Sequence, residues 1–455
     1  MIAKEFLSRT LRDAAARRFL VEVRAAAPIV TARGKSRSGP TGGLTMAKTV
    51  LMIGAFDTKG AEYAFLRERI LERGHQVVTV NTGVLGSTDR FGVDVEADDV
   101  AAAGGGDLAV VRANQDRGEA MKVMTAGAPV LLRRLWDEGR FDGVIGMGGT
   151  GGSTVIAAAM RALPVGVPKV LVSTAASGDT SAYVGTKDVA MVPSIVDVAG
   201  INRISRIIFS RAAGAVCGMV EAEPPSPDDE KPIIAATMFG NTTDCVTACA
   251  EALGAKGYEV LVFHATGAGG RTMESLIDEG LVDGVLDITT TEWADEVCGG
   301  VFSAGTDRLS APGRRGVPHL IVPGCVDMAN FGPMDTVPAK HREAGRTFYE
   351  WNPSITLMRT SVEENARIGR VFAEKANEAE GPVAFLIPLR GVSILDGDGQ
   401  PFCDREADAA GFDAIKAGVR QGIDVVELDA NINDPAFSDK AVEMMLDLIH
   451  QAQRG

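Results

Sequence analysis

The sequence predicts an α/β fold made of two Rossmann-like parallel-sheet lobes, related by internal duplication and facing each other across a cleft. Three observations carry this reading. Short apolar runs alternate with amphipathic helical stretches. The order of motifs before residue 222 recurs after residue 233. Loops of glycine and small polar residues follow the apolar runs, at strand ends where ligands of open α/β sheets collect.

The first domain begins with Thr49–Ala55 (TVLMIGA), a buried-strand pattern, followed by Phe56-Asp57-Thr58-Lys59-Gly60 and an amphipathic helix, Ala61–Arg73, ended by Gly74. His75–Asn81 is the next strand, with Thr82 and Gly83 at its end. This βαβ unit predicts a parallel sheet. The segment 86–128 breaks the alternation and reads as an inserted flap or helical excursion. Its Arg112, Arg117 and Lys122 are either cations for a bound anion or solvated surface charges.

Gly143–Met147 is a third apolar run. Gly148-Gly149-Thr150-Gly151-Gly152 follows, Ser153 and Thr154 stand where an N-cap belongs, and a helix runs from Val155 to Leu163. Glycines admit close backbone approach, and the first helical N–H groups attract negative charge. This loop is expected to cradle a phosphate or carboxylate; the alternative is a tight turn with glycines only for packing. No Lys follows the glycines, so it is not a Walker A loop. Lys169–Thr174 is the next strand, and Lys187 beyond it is either a phosphate counter-charge or a surface lysine. The helix Ile201–Gly214 precedes EAEPPSPDDEKP, an acidic, proline-rich linker.

The duplication is explicit. Phe56–Lys59 aligns with Phe239–Thr242, and Gly74 with Gly257. LWDEGRFDGVIGM (135–147) matches LIDEGLVDGVLDI (276–288) at seven of thirteen positions. GVPKVLV (166–172) matches GVPHLIV (316–322). The loops diverge where the scaffold agrees. In the second lobe the glycines sit at Gly267, Gly269 and Gly270, with Arg271 adding charge: a second candidate anion cradle. Where the first lobe has its glycine loop, the second has Thr289-Thr290-Thr291-Glu292-Trp293-Ala294-Asp295-Glu296. Glu292 and the strand-end His264 are the candidate acid–base pair; helix N-terminal charge and a structural histidine are the alternatives. Cys325 reads as a packed thiol, and the aromatic segment Arg346–Asn352 as either a stacking surface or core. Ser361 is the expected N-cap of a helix to Ala379, with Glu364 completing a capping box.

These readings divide the chain into a basic, disordered extension (1–45), a first lobe (46–222), a linker (223–232) and a second lobe (233–455). The extension carries nine Lys/Arg against three Asp/Glu. The whole chain of 455 residues has a net charge of −14, which argues against general nucleic-acid binding. Six cysteines without a CxxC and five histidines without an HExxH motif predict a reduced, cytoplasmic protein lacking a structural metal. No apolar run approaches the roughly 20 residues of a membrane span.

Several long motifs resemble one family. They are IGAFDTKGAEYAFLRE (53–68), GMGGTGGST (146–154), STAASGDTSAYVGTKD (173–188), HATGAGGRTMESL (264–276), TTTEWADEVCGGVFSAG (289–305) and PGCVDMANFG (323–332). The family is the Tm-one-like group, built on the ATP-binding N-terminal domain of the tomato mosaic virus resistance protein. The resemblance runs from about Lys48 to Ala452. It implies a two-lobed Rossmann-like fold, ATP as ligand (with Mg²⁺) and a homodimer. From the strand-end argument, Gly148, Gly149, Thr150, Gly151, Gly152 and Ser153 would take phosphate oxygens, with Asp57, Thr58, Lys59, Thr82 and Lys187 around them. The competing expectation is an enzyme acting on a small phosphorylated or carboxylated metabolite held on Gly267–Thr272. A protein-interaction module is the third.

Overall fold

The computed structural model describes residues 46–223 and 230–454, so the expected extension 1–45 and most of the expected linker lie outside the described residues. The chain divides between Glu230 and Lys231 into two compact units.

The first unit holds a five-stranded sheet in the order β2-β1-β3-β4-β5, with β1 Thr49–Gly54, β2 Gln76–Asn81, β3 Gly143–Gly148, β4 Lys169–Ser173 and β5 Ala190–Pro193. All pairings are parallel. Strand side chains alternate between faces. Leu51, Ile53, Val144 and Leu171 pack against the helices Ala97–Ala103, Arg117–Asp137 and Thr150–Arg161. Val50, Met52, Ile145 and Val170 pack on the other side against Phe56–Leu71 and Arg203–Glu221. The sheet is therefore doubly wound.

The segment 86–128 is helical but is not a flap. Val100, Leu108, Val111 and Met124 are core residues, and the segment runs on into β3 through the 21-residue helix Arg117–Asp137. An excursion with this many buried apolar side chains forms a layer of the domain.

The second unit repeats the arrangement. Its six-stranded sheet runs β7-β6-β8-β9-β13-β14, all parallel, so its first four strands reproduce the order β2-β1-β3-β4. The strands are β6 Ile233–Met238, β7 Glu259–His264, β8 Gly284–Thr289, β9 His319–Gly324, β13 Val383–Pro388 and β14 Asp424–Leu428. The C-terminal elements thus extend the second lobe's sheet. Between β9 and β13 lies a small antiparallel sheet of β10 Met328–Phe331, β11 Phe348–Asn352 and β12 Ile355–Arg359. The aromatic segment is its edge strand β11, where Tyr349 and Trp351 are exposed. The expected capping box forms: Glu364 N–H donates to Ser361 Oγ, and Ser361 N–H to the Glu364 carboxylate.

The duplicated DEG…DG motif has a physical basis visible twice. Gly139 (φ 67°) and Gly280 (φ 77°) end a helix in the left-handed region that glycine tolerates best. Asp142 then accepts the N–H of Thr49 at 2.7 Å, and Asp283 accepts that of Ile233 at 2.8 Å. Each aspartate ties the start of the third strand of its lobe to the start of the first.

Candidate functional site

In the first lobe the helix after β1 covers one face of the sheet and the helix after β3 covers the other. The crevice between the carboxyl ends of β1 and β3 is a topological switch point, where ligands of doubly wound sheets bind. Tyr63 pins this point from below. Its hydroxyl lies 2.8 Å from the Ile53 carbonyl and accepts the Met147 N–H at 2.7 Å. A Cβ at Gly54 would stand 1.8 Å from that oxygen, so glycine is obligatory there.

The glycine loop lies on this rim, with a helix start different from the one expected. The helix begins at Thr150 with Gly149 as N-cap and no side-chain cap. Gly151 and Gly152 are therefore inside its first turn. The N–H groups of Gly149, Thr150, Gly151 and Gly152 have no partner within the helix. Gly149, Gly151 and Gly152 are partly exposed and Thr150 is exposed, and added methyl groups there would meet nothing closer than 3.7 Å. Gly148 differs, since its Cβ would stand 2.9 Å from Ser153 N.

Ser153 is not a ligand contact in this geometry. It is fully buried, and its hydroxyl bonds Ser173 Oγ at 2.7 Å and the Gly148 carbonyl, joining β3 to β4. The expected cations also rearrange. Lys59 Nζ donates to the Val198 carbonyl, and Arg112 to Val84 O and Asp98. Lys187 is on the wrong edge. It precedes β5, and its neighbour Asp188 pairs with Lys169 at the first residue of β4, at 2.6 Å. Parallel strands enter at the amino edge, opposite the glycine loop. Arg117 takes their place: a methyl on Gly151 would lie 4.0 Å from its Nη2. The sequence offered Arg117 among three cations without distinguishing it.

Asp57 acts on the chain itself, accepting Thr58 N–H at 2.7 Å and Leu85 N–H at 2.9 Å. With Thr58, Ser87, Thr88 and Arg90 it lines a cavity of about 310 Å³. Thr82 is buried at the end of β2, its N–H on the Gly54 carbonyl.

The second lobe's cradle is built and already filled. Gly267 and Gly270 N–H groups donate to Glu292 Oε1 at 2.8 and 3.1 Å, while Arg308 Nε donates to Oε2 at 2.6 Å. Glu292 is 1% exposed. Arg308 also grips Asp287 through both terminal nitrogens and reaches Glu274 at 3.3 Å. These carboxylates hold the guanidinium charged despite full burial, and Arg308 with His319 holds Asp287 well below the usual carboxylate range. Glu292 is thus bound through both carboxylate oxygens inside the lobe, without the access a proton-transfer group needs. Gly269 is required by packing, since a Cβ would stand 1.9 Å from the His264 carbonyl. Arg271 donates to Ser303 O at 2.9 Å. His264 is exposed on the edge strand, its ring 5.4 Å from that of Phe239.

Two further acidic groups are buried near this rim. Asp295 accepts Phe302 N–H and both the N–H and amide of Asn330, yet burial pushes its carboxyl up to about 7. Asp327 accepts Ser393 Oγ at 2.8 Å, and burial raises it to about 6 against the pull of Arg359. Cys325, in the turn between β9 and β10, is fully buried, and burial raises its thiol far above the usual range, which suits a packed thiol. Among the described residues no cluster of His, Cys, Asp and Glu is arranged to hold a metal ion, and no helix is long and apolar enough to cross a membrane.

Comparison with known proteins matches both lobes to one family. Residues 48–225 fit the N-terminal domain, and 231–449 the C-terminal domain, of the uncharacterised protein family UPF0261. A UPF0261 protein of Clostridium tetani is 46% identical over 410 residues, covering 90% of this chain and all of that one. One from Mesorhizobium japonicum is 45% identical over 403 residues, covering 88% and 99%. The ToMV resistance protein Tm-1(GCR237) of Solanum lycopersicum is 38% identical over 420 residues, covering 88% of this chain and 55% of its own length. With both lobes matched and full-length relatives at this identity, the chain belongs to the UPF0261 family, in which the Tm-one-like resemblance also falls.

Proposed function

We propose that the first lobe binds a nucleotide, ATP with Mg²⁺, through its phosphates at the carboxyl rim of the sheet. One observation carries the reading: the N–H groups of Gly149–Gly152 have no side-chain cap on a partly exposed loop, and Arg117 beside it forms no salt bridge among the described residues. Backbone donors, helix dipole and guanidinium all favour an anion there, and glycine permits close approach. Thr58 and Thr150 are exposed on the same rim and would contact the ligand, whereas Asp57 and Lys59 would shape the loops around it. The metabolite-enzyme reading loses support because Glu292 already occupies the second cradle. Dimerisation belongs to the proposal and is checked by sedimentation of the full chain.

Gly149→Asp tests the site. The backbone there (φ −72°, ψ −175°) accepts any residue, and an aspartate in place of glycine at an N-cap stabilises a helix by only about a few tenths of a kcal/mol. The variant should melt higher than the parent alone, while the added carboxylate occupies the donors and repels phosphate. A ligand at 100 times its Kd stabilises the parent by about 2.7 kcal/mol. ATP should therefore raise the parent's Tm and leave the variant's unchanged; equal shifts would refute the assignment.

A further inference from the structure

The first lobe carries an unusual turn at the same rim, just after β5. Ile195 has φ 64°, a left-handed value that is a true outlier for a β-branched residue. The N–H of Val196 donates to the Ser194 carbonyl at 2.7 Å, closing a three-residue γ-turn of the strained positive-φ form. The turn is held from both sides. Ser194 N–H donates to the Ser173 carbonyl at 3.1 Å, and Ser194 Oγ to the Val196 carbonyl at 2.6 Å, with Ser194 itself buried. What this arrangement holds out is an aliphatic side chain that is 69% exposed. Strained backbone kept in place by its surroundings clusters at ligand clamps, and an isoleucine gains nothing by facing water.

Its place in the sheet says what it would meet. β5 lies beside β4, which lies beside β3. The turn therefore stands two strand spacings, about 10 Å, from the glycine loop along the carboxyl rim. We infer that Ile195 is the apolar wall against which the base of a nucleoside triphosphate rests while its phosphates sit on Gly149–Gly152. A nucleoside triphosphate spans this separation between base and phosphates, and inorganic polyphosphate has nothing to place there. Leu85, beyond β2 on the opposite flank, is 80% exposed but sits on ordinary backbone, so it serves as the control.

The inference rests on the nucleotide reading above, and its test separates the two. ATP and inorganic tripolyphosphate are titrated calorimetrically into the full chain, its Ile195→Asn variant and its Leu85→Ser variant. Asparagine is several-fold enriched among non-glycine residues at positive φ and lacks the β-branching of isoleucine, so the variant should keep the turn and should not melt lower. The expected result is about a tenfold loss of ATP affinity in Ile195→Asn, as expected for removal of an apolar contact. Tripolyphosphate binding should be unchanged, and Leu85→Ser should match the parent. An ATP affinity unaltered by Ile195→Asn, or falling in parallel with that for tripolyphosphate, overturns the role of Ile195 and leaves the anion site standing. A parent that binds neither probe overturns both.

Discussion

The two lobes share strand order and strand-start clamps, yet treat the same electrostatic opportunity in opposite ways. The first leaves the donors of Gly149–Gly152 open beside Arg117. The second directs Gly267 and Gly270 at Glu292, which it then neutralises with a fully buried Arg308. The stitching of the switch point differs in the same sense. In the first lobe a single Tyr63 hydroxyl bridges β1 and β3. In the second, Thr237 Oγ1 accepts Thr289 N–H at 3.0 Å and donates to Asp287 at 2.7 Å, continuing the network into Arg308. The duplicated scaffold thus leaves the helix-start donors of one rim without a side-chain cap and closes the other with an internal ion network.

Three changes would break or sharpen this contrast. Arg308→Met should have the largest effect, leaving Asp287, Glu292 and Glu274 buried without their cation. Removing one partner of a buried pair costs about 3–5 kcal/mol, read as a lowered urea midpoint. A shift below 1 kcal/mol would mean the network is not what holds the loop. Glu292→Ala should empty the second cradle at a cost of roughly 2–3 kcal/mol, from lost charge-assisted bonds. Acetate should restore part of that loss, since the variant presents the open donors that the first lobe has natively; no recovery would argue that the cradle is merely structural packing. The smallest effect concerns pH. Asp295 is raised from an ordinary carboxylate value to about 7, so its contribution is present at acid pH and is lost as pH rises through 7. Stability should fall with a slope of up to about 1.4 kcal/mol per pH unit between pH 5 and 6.5. Asp295→Asn should flatten that slope, its amide pairing with Asn330, whose Oδ1 otherwise lacks a partner; an unchanged slope would place the titration elsewhere.

The fold was legible because period and punctuation agreed. The buried runs gave the strands, and the repeated DEG…DG motif gave the duplication, since its glycines and aspartates carry backbone duties that spacing reveals. The site was legible only in part. Gly149–Gly152 could be placed because a strand end and a helix start fix a loop between them. Lys187 could not, because β5 is a four-residue edge strand without a pattern, and missing it reversed the edge on which the lysine lies. Arg308 sat in a glycine-rich loop with no periodicity, so nothing in the chain announced its three carboxylates. The antiparallel sheet was hidden for a related reason: Phe348–Asn352 is exposed along most of its length and lacks the alternation of a half-buried strand.

The paired aspartates at the strand starts have a consequence for how this molecule can change. Asp142 and Asp283 spend their hydrogen bonds on backbone alone, so they constrain register but ask nothing of the chemistry at the far end of the sheet. Tolerance to substitution should therefore run as a gradient along each strand. It would be strict at the amino edge, where both copies still agree, and permissive at the carboxyl edge, where they have already parted. A molecule organised this way can trade one rim's specificity for another without renegotiating how it folds.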